Sequence, residues 1–353
     1  MKGLKVGDKI SKYPIIQGGM GVGVSMHRLA GTVSKEGGIG VISTADIGYQ
    51  EPDFNENPMA ANLRAIGKEI KKAREIAGED KILGVNVMVA LRNYAEIVKE
   101  CVKQKIDLII SGAGIPKDLP EYVKGTKTKI APIVSSLRCC KLIVEHWKKK
   151  YDYTPDMIVI EGPEAGGHLG FKESELISED VPKLEDITTD VVDYIKDVEK
   201  ETGKEIPVVA AGGIWDGKDI KKFLSLGASG VQMATRFVAT DECDAAQEFK
   251  EAYVNAKEED IKIIHSPVGM PGRAINNTFI QKEETHKSKI DKCYGCIKTC
   301  NVKDAPYCIT KALINSVKGN IENGLVFCGS NVYKIKEIVS VHNLMQELVA
   351  GIA

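Results

Sequence analysis

Two rhythms of hydrophobic residues alternate along this chain of 353 residues. Short apolar runs rich in β-branched side chains occur at YPIIQ (13–17), IGVIS (39–43), ILGVNVMV (82–89), DLIIS (107–111), IAPIVSS (130–136), DMIVIE (156–161), PVVAA (207–211) and GVQMA (230–234). Between them lie amphipathic stretches with helical spacing, among them NPMAANLRAIGKEIKKAREIAGE, LRCCKLIVEHWKKKY and DITTDVVDYIKDVEKETG. The short runs are apolar throughout rather than alternating, which suits parallel strands covered on both faces.

Eight strand–helix units within residues 1–260 predict an α/β fold: a (β/α)8 TIM barrel with a C-terminal Cys-rich appendage. A doubly wound open sheet would use the same elements, so their number alone does not choose. The placement of unusual residues does. Gly18-Gly19-Met20, Asn86, Ser111-Gly112, Ser135-Ser136, Glu161 through His168, Gly212-Gly213 and Gln232 through Thr235 all fall at strand C-terminal ends. A barrel gathers those ends on one face, where its active site is built. Two loops on that face, 44–56 and 162–185, exceed the usual length and are lid candidates. The pattern breaks near residue 260. Residues 261–353 read as an extension packed on the barrel, with the helical stretches KALINSVKG and VHNLMQELVAG and a Cys-rich segment at 293–308.

Composition narrows the function classes. The chain is 43% hydrophobic and 27% charged, with a formal net charge of −1 and no basic stripe interleaved with aromatics. No nucleic-acid partner is expected. No apolar run nears the roughly 20 residues that span a bilayer. The N-terminal MKGLKVGDKISKYPII also lacks the apolar core of a signal peptide. No membrane partner and a cytoplasmic location are the expectations.

The segment 208-VVAAGGIWDGKDIKKFLSLGASGVQMATRF-237 is the most informative. One strand ends in Gly212-Gly213 and the next in Gln232, Met233, Ala234 and Thr235, so two small-residue turns follow the seventh and eighth strands. Paired turns there form the usual phosphate site of a barrel, because backbone N–H groups point inward and glycine lets phosphate oxygens approach. The plainer reading is that these glycines only make tight turns. At the first strand, PIIQGGMG puts Gly19 and Met20 where a flat aromatic ligand could lie against bare backbone. Asn86 interrupts the apolar run GVNVMV, and a buried amide costs about 1–3 kcal/mol unless paired. It is either a core hydrogen bond or a ligand contact, and Gln17 and Gln232 pose the same question.

His168, just past the sixth strand, is the candidate acid/base residue. Imidazole titrates near neutral pH and can take and return a proton. His27, His146 and His286 fall on predicted helices or charged segments, and His265 lies in the extension. A structural histidine that satisfies its own loop is the alternative. Four of the nine cysteines, Cys293, Cys296, Cys300 and Cys308, have the spacing C-x2-C-x3-C-x7-C. Such a group could hold an iron–sulfur cluster or zinc, though it lacks the two separated pairs usual for zinc. Buried thiols in a tight loop are the other reading.

The motifs PIIQGGMG, GGIGVIS (37–43), GVNVMV, GPEAGGH (162–168), VVAAGGIWDG and GVQMATRF together resemble the nitronate monooxygenase (2-nitropropane dioxygenase) family. That family is related to the FMN-dependent enoyl-acyl-carrier-protein reductases. The resemblance covers residues 13–237 and implies an FMN-binding barrel. It implies that Gly19 and Met20 lie against the isoalloxazine and that Asn86 bonds the ring system. Gly166, Gly167, Gly212, Gly213, Gln232, Met233, Ala234 and Thr235 would line the ribityl chain and phosphate, and Ser111 joins them as a cofactor-binding candidate. His168 matches the active-site histidine. The implied reaction oxidises alkyl nitronates or nitroalkanes with O2 to carbonyl compounds and nitrite. The same site suits an NAD(P)H-dependent enoyl-thioester reductase. A flavin or metal redox sensor or carrier is the non-enzyme alternative, and a homodimer is the candidate assembly. The cysteine run stands outside the family pattern. It is similar to cluster segments that follow the barrel in some other flavin reductases, where a four-iron cluster feeds electrons to FMN. A bound cluster would favour a reductase over an oxygen-using enzyme.

Overall fold

The computed structural model describes residues 2–178, 180–285 and 289–352; His286 lies outside these. All eight expected strands form: β1 (Ile15–Gln17), β2 (Ile39–Ser43), β3 (Leu83–Met88), β4 (Leu108–Gly112), β5 (Lys129–Val134), β6 (Ile158–Glu161), β7 (Val208–Ala211) and β8 (Gly230–Met233). They pair in parallel in chain order, and β8 returns to β1 with Val231 opposite Ile15, which closes the barrel. The fold is a TIM barrel.

Alternation along each strand splits the core into two layers. Ile16, Val41, Leu108, Ile110, Ala131, Val159 and Val209 point inward and pack together. Ile15, Ile42, Val85, Ile109, Ile158 and Val231 point outward beneath the helices. The floor of the barrel is sealed by Leu4 and Val6 from the N-terminal hairpin Lys5–Val6/Lys9–Ile10, which join the inner layer. Burying about 25 cal/mol per Å2 of apolar surface in both layers is what favours closure.

The last ninety residues hold more structure than their pattern predicts. β9 (Ile261–His265) and β10 (Pro271–Ile275) form a hairpin, and a helix at Thr278–Thr285 precedes the two expected helices, Ile309–Val317 and Val341–Ile352. β10 also pairs with a two-residue strand at Gly167–His168, so the extension is stitched to the loop after β6. Both lid candidates are tied down. Loop 44–56 buries Ile47, Tyr49 and Phe54, and the loop at 162–185 is held by β10. Among the described residues, no helix is long and apolar enough to cross a membrane.

Candidate active site

One cavity opens at the C-terminal ends of the strands, with about 1550 Å3 of empty space including its mouth. It gathers His168, Gly19, Met20, Asn86, Gly166, Gly167, Gly212, Gly213, Gln232, Met233, Ala234 and Thr235 in one lining. Ser111 is not among them. It shares the outward parity of Ile109, so its hydroxyl points away from the barrel axis, donating to the Val87 carbonyl at 2.9 Å and pairing with Tyr94 at 2.8 Å. Gln17 also points outward, and its amide spans the Val41 backbone. Asn86 and Gln232 have inward parity and reach the cavity.

The turn after β7 supplies one end. Gly212 and Gly213 have φ of +98° and +77°, a region that L side chains rarely adopt. A Cβ at Gly213 would also overlap the side chain of Glu164. Asn331 fixes the turn by donating to the Gly213 carbonyl at 2.8 Å. The Gly329 amide donates to the Thr235 hydroxyl at 3.1 Å, so the segment Gly329–Asn331 and the turns after β7 and β8 form one polar cradle. Glu164 places an exposed carboxylate there, which accepts from the Ser330 hydroxyl at 3.2 Å. No lysine or arginine side chain lines the cavity among the described residues, so an anion here is held by amides and hydroxyls.

His168 stands on the opposite wall. Its Nε2 is 2.8 Å from the Ser266 hydroxyl, and its ring packs edge-on against Phe327 at 4.9 Å between centroids. Burial pushes its pKa down to about 4, so the imidazole is neutral at pH 7. A neutral imidazole is able to accept a proton or to donate one hydrogen bond. Arg273, buried in β10, donates from Nη1 to the carbonyls of Pro163 and Ala165 at 2.7 and 2.6 Å, which sets the course of the GPEAGGH loop.

Several lining residues escaped the sequence reading. Glu161, inward at the end of β6, is buried without a cationic neighbour, and its carboxyl is pushed up to about 7. Its parity with Val159 would have revealed it. Phe249, Tyr253, Leu313, Leu325 and Phe327 build an apolar wall, and Cys328 lies beside it. No barrel motif announces these, because they come from helices and loops beyond β8.

The residues fit a flavin mononucleotide. Gln232 Oε1 is buried with no hydrogen-bond partner, an orphan acceptor facing the cavity. A Cβ at Gly19 would collide with Asn86, so the lining here is bare backbone. The cysteines are elsewhere. Cys293, Cys296, Cys300 and Cys308 line a second, smaller cavity. Among the described residues, no three His, Cys, Asp or Glu side chains are drawn together as a set for a metal ion. A zinc site would bring its thiolates to roughly 3.8 Å of one another, from 2.3 Å bonds in a tetrahedron. The structure therefore gives no support to zinc or an iron–sulfur cluster here.

A closed parallel barrel with a nucleotide-type cradle, an orphan amide acceptor and a neutral buried histidine over the mouth defines a flavin-dependent oxidoreductase. The family model for nitronate monooxygenase matches residues 5–351. The chain belongs to the nitronate monooxygenase family. It is 32% identical over 300 residues to a probable nitronate monooxygenase of Staphylococcus saprophyticus, covering 79% of this chain and 80% of that protein. The structure of FabK from Thermotoga maritima superposes with a TM-score of 0.73 at 26% identity, covering 97% and 93% of the two chains. Nitroalkane oxidase from Streptomyces ansochromogenes shares the fold, with a TM-score of 0.70 at 20% identity over 97% and 96%.

Proposed function

We propose that the protein is an FMN-dependent nitronate monooxygenase that oxidises alkyl nitronates or nitroalkanes with O2 to carbonyl compounds and nitrite. The observation that carries this reading is the neutral, buried His168 held by Ser266 over a cavity with the Gln232 acceptor on its floor. When bound, FMN supplies the electron acceptor and the place where O2 reacts. The chain does the rest. The amides around Gly212, Gly213 and Gly329 would hold the phosphate, and Gln232 Oε1 would accept a hydrogen bond from the bound group. Asn86 and the Gly19 backbone would lie against the ring.

His168 has two tasks. Towards a neutral nitroalkane, one imidazole nitrogen takes the α-proton. Towards a nitronate, an imidazole N–H donates to the anionic nitro oxygen, in a site from which Phe327 helps exclude water. Ser266 keeps the ring in place by holding Nε2. The apolar wall of Phe249, Leu313, Leu325 and Phe327 accommodates the alkyl part of the substrate.

That same wall favours one second reading, NAD(P)H-dependent reduction of an enoyl thioester, whose acyl chain it would suit. Anaerobic mixing separates the two. Bleaching of the flavin by a nitronate without NAD(P)H, with nitrite released on admitting air, is the expected result. Inertness to nitronates, together with rapid bleaching by NADPH and turnover of an enoyl thioester, would establish the second reading instead.

A further inference from the structure

We infer that Ser266 is a positioning residue that sets the tautomer of His168, holding the ring proton on Nδ1 so that the imidazole meets its substrate as a hydrogen-bond donor. The inference deepens the proposed reaction and rests on it for the identity of the substrate.

His168 and Ser266 are fixed to one piece of structure. His168 pairs with Gly272 of β10, and Ser266 directly follows the last residue of β9. The turn between those strands holds Ser266 by both backbone groups: its amide donates to the Met270 carbonyl at 3.2 Å, and its carbonyl accepts from the Gly269 amide at 2.9 Å. Thr299 braces the same turn by donating to the Val268 carbonyl at 3.3 Å. Ser266 is fully buried, so its hydroxyl cannot turn to bulk water.

Two bonds account for that hydroxyl. Its oxygen accepts from the Val268 amide at 3.3 Å and lies 2.8 Å from His168 Nε2. A hydroxyl also has one proton to give. Among the described residues, Nε2 is the one acceptor within its reach. Buried donors are rarely left unpaired, so the O–H donates to Nε2. A neutral imidazole carries a single proton, and burial keeps this ring neutral, so that proton sits on Nδ1. Nδ1 pairs with no described protein group, and His168 lines the cavity, which leaves the Nδ1–H for the substrate.

The two tasks of the ring are therefore unequal. Donation to an anionic nitro oxygen uses the tautomer already present. Taking an α-proton needs Nδ1 bare and an Nε2–H turned towards Ser266 Oγ. The hydroxyl proton then has no acceptor, which disfavours that form by about 5- to 150-fold. In the step itself the C–H bond breaks, an N–H bond forms at Nδ1, and the electron pair moves into the nitro group. The site is set for a nitronate that arrives already ionised, with neutral nitroalkanes as the slower substrates.

The test uses the flavin-loaded full chain, with isotope-labelled histidine for nuclear magnetic resonance; the ring signals missing from His168→Gln belong to His168. The proton is expected on Nδ1 in the native protein and in Ser266→Thr, with the Nε2–H form gaining in Ser266→Ala. The ratio of kcat/KM for the ionised over the neutral form of one nitroalkane should fall about fivefold or more in Ser266→Ala and return in Ser266→Thr. A serine with only a structural role would lower both rates together and leave that ratio unchanged. A proton on Nε2 in the native protein, or a ratio unmoved by loss of the hydroxyl, overturns the assignment. If either Ser266 variant loses its flavin, the resonance measurement on the native protein decides alone. That measurement involves no nitronate. A protein inert to nitronates with its proton on Nδ1 would sink the proposed reaction and keep the tautomer.

Discussion

The cavity has two walls of different origin. The cradle of Gly212, Gly213, Gln232 and Thr235 belongs to the barrel and acts largely through backbone, with Asn331 and Gly329 as braces. The wall around His168 works through side chains, and Ser266, Arg273 and Phe327, which position it, all lie beyond residue 260. A backbone wall is fixed by chain geometry and tolerates few side chains. A side-chain wall is adjustable, and here it depends on the segment beyond residue 260. Both walls draw on the extension, the cradle through Gly329 and Asn331 and the opposite wall through Ser266, Arg273 and Phe327.

Four experiments break or sharpen that contrast. His168→Ala should retain flavin but lower kcat for a neutral nitroalkane by about 10²–10⁴-fold, and by less for the preformed nitronate. Steady-state rates with both substrates check this, and loss of flavin along with activity would remove His168 from a catalytic role. Gly213→Val should weaken flavin binding about 10–100-fold through strain at positive φ and overlap with Glu164. Unchanged affinity in a fluorescence titration would sink the cradle. Arg273→Met leaves two buried carbonyls unpaired and should cost about 2–4 kcal/mol in denaturant unfolding. A cost near zero would show that β10 does not hold the GPEAGGH loop.

The smallest effect concerns Glu161, whose folded pKa is raised to about 7 from 4.5. Its contribution to stability is full below about pH 4.5 and is lost as pH rises through 7. His168 has the opposite sign in its own range. Lowered to about 4 from 6.5, its contribution is full above pH 6.5 and fades as pH falls through 4. In flavin-free protein, Glu161→Gln should therefore flatten the fall in melting temperature between pH 5 and pH 8. An unchanged slope would show that Glu161 is solvated.

The barrel was legible because eight buried parallel strands leave eight unbroken apolar runs, and because a phosphate turn needs glycines in fixed order. Ser111 shows the limit of that reading: position at a strand end is not enough without inward parity. Glu161 shows the converse, a residue that parity would have found. The hairpin β9–β10 was invisible for another reason. Its strands, IKIIH and PGRAI, are short and half-covered, and their partner is a two-residue strand inside a loop. Pairing of that kind is decided by tertiary contact, which no local pattern records.

The order in which the walls lie along the chain bears on how the protein is made. The strands are complete by Met233, yet the cavity also draws on Phe327 and Asn331. Chains emerge N-terminus first, and domains tend to fold as they appear. The barrel strands are thus made well before the last residues of the pocket. Competence to take up a cofactor then waits on residues made long after the last strand, and the same late segment completes the core that covers the barrel helices.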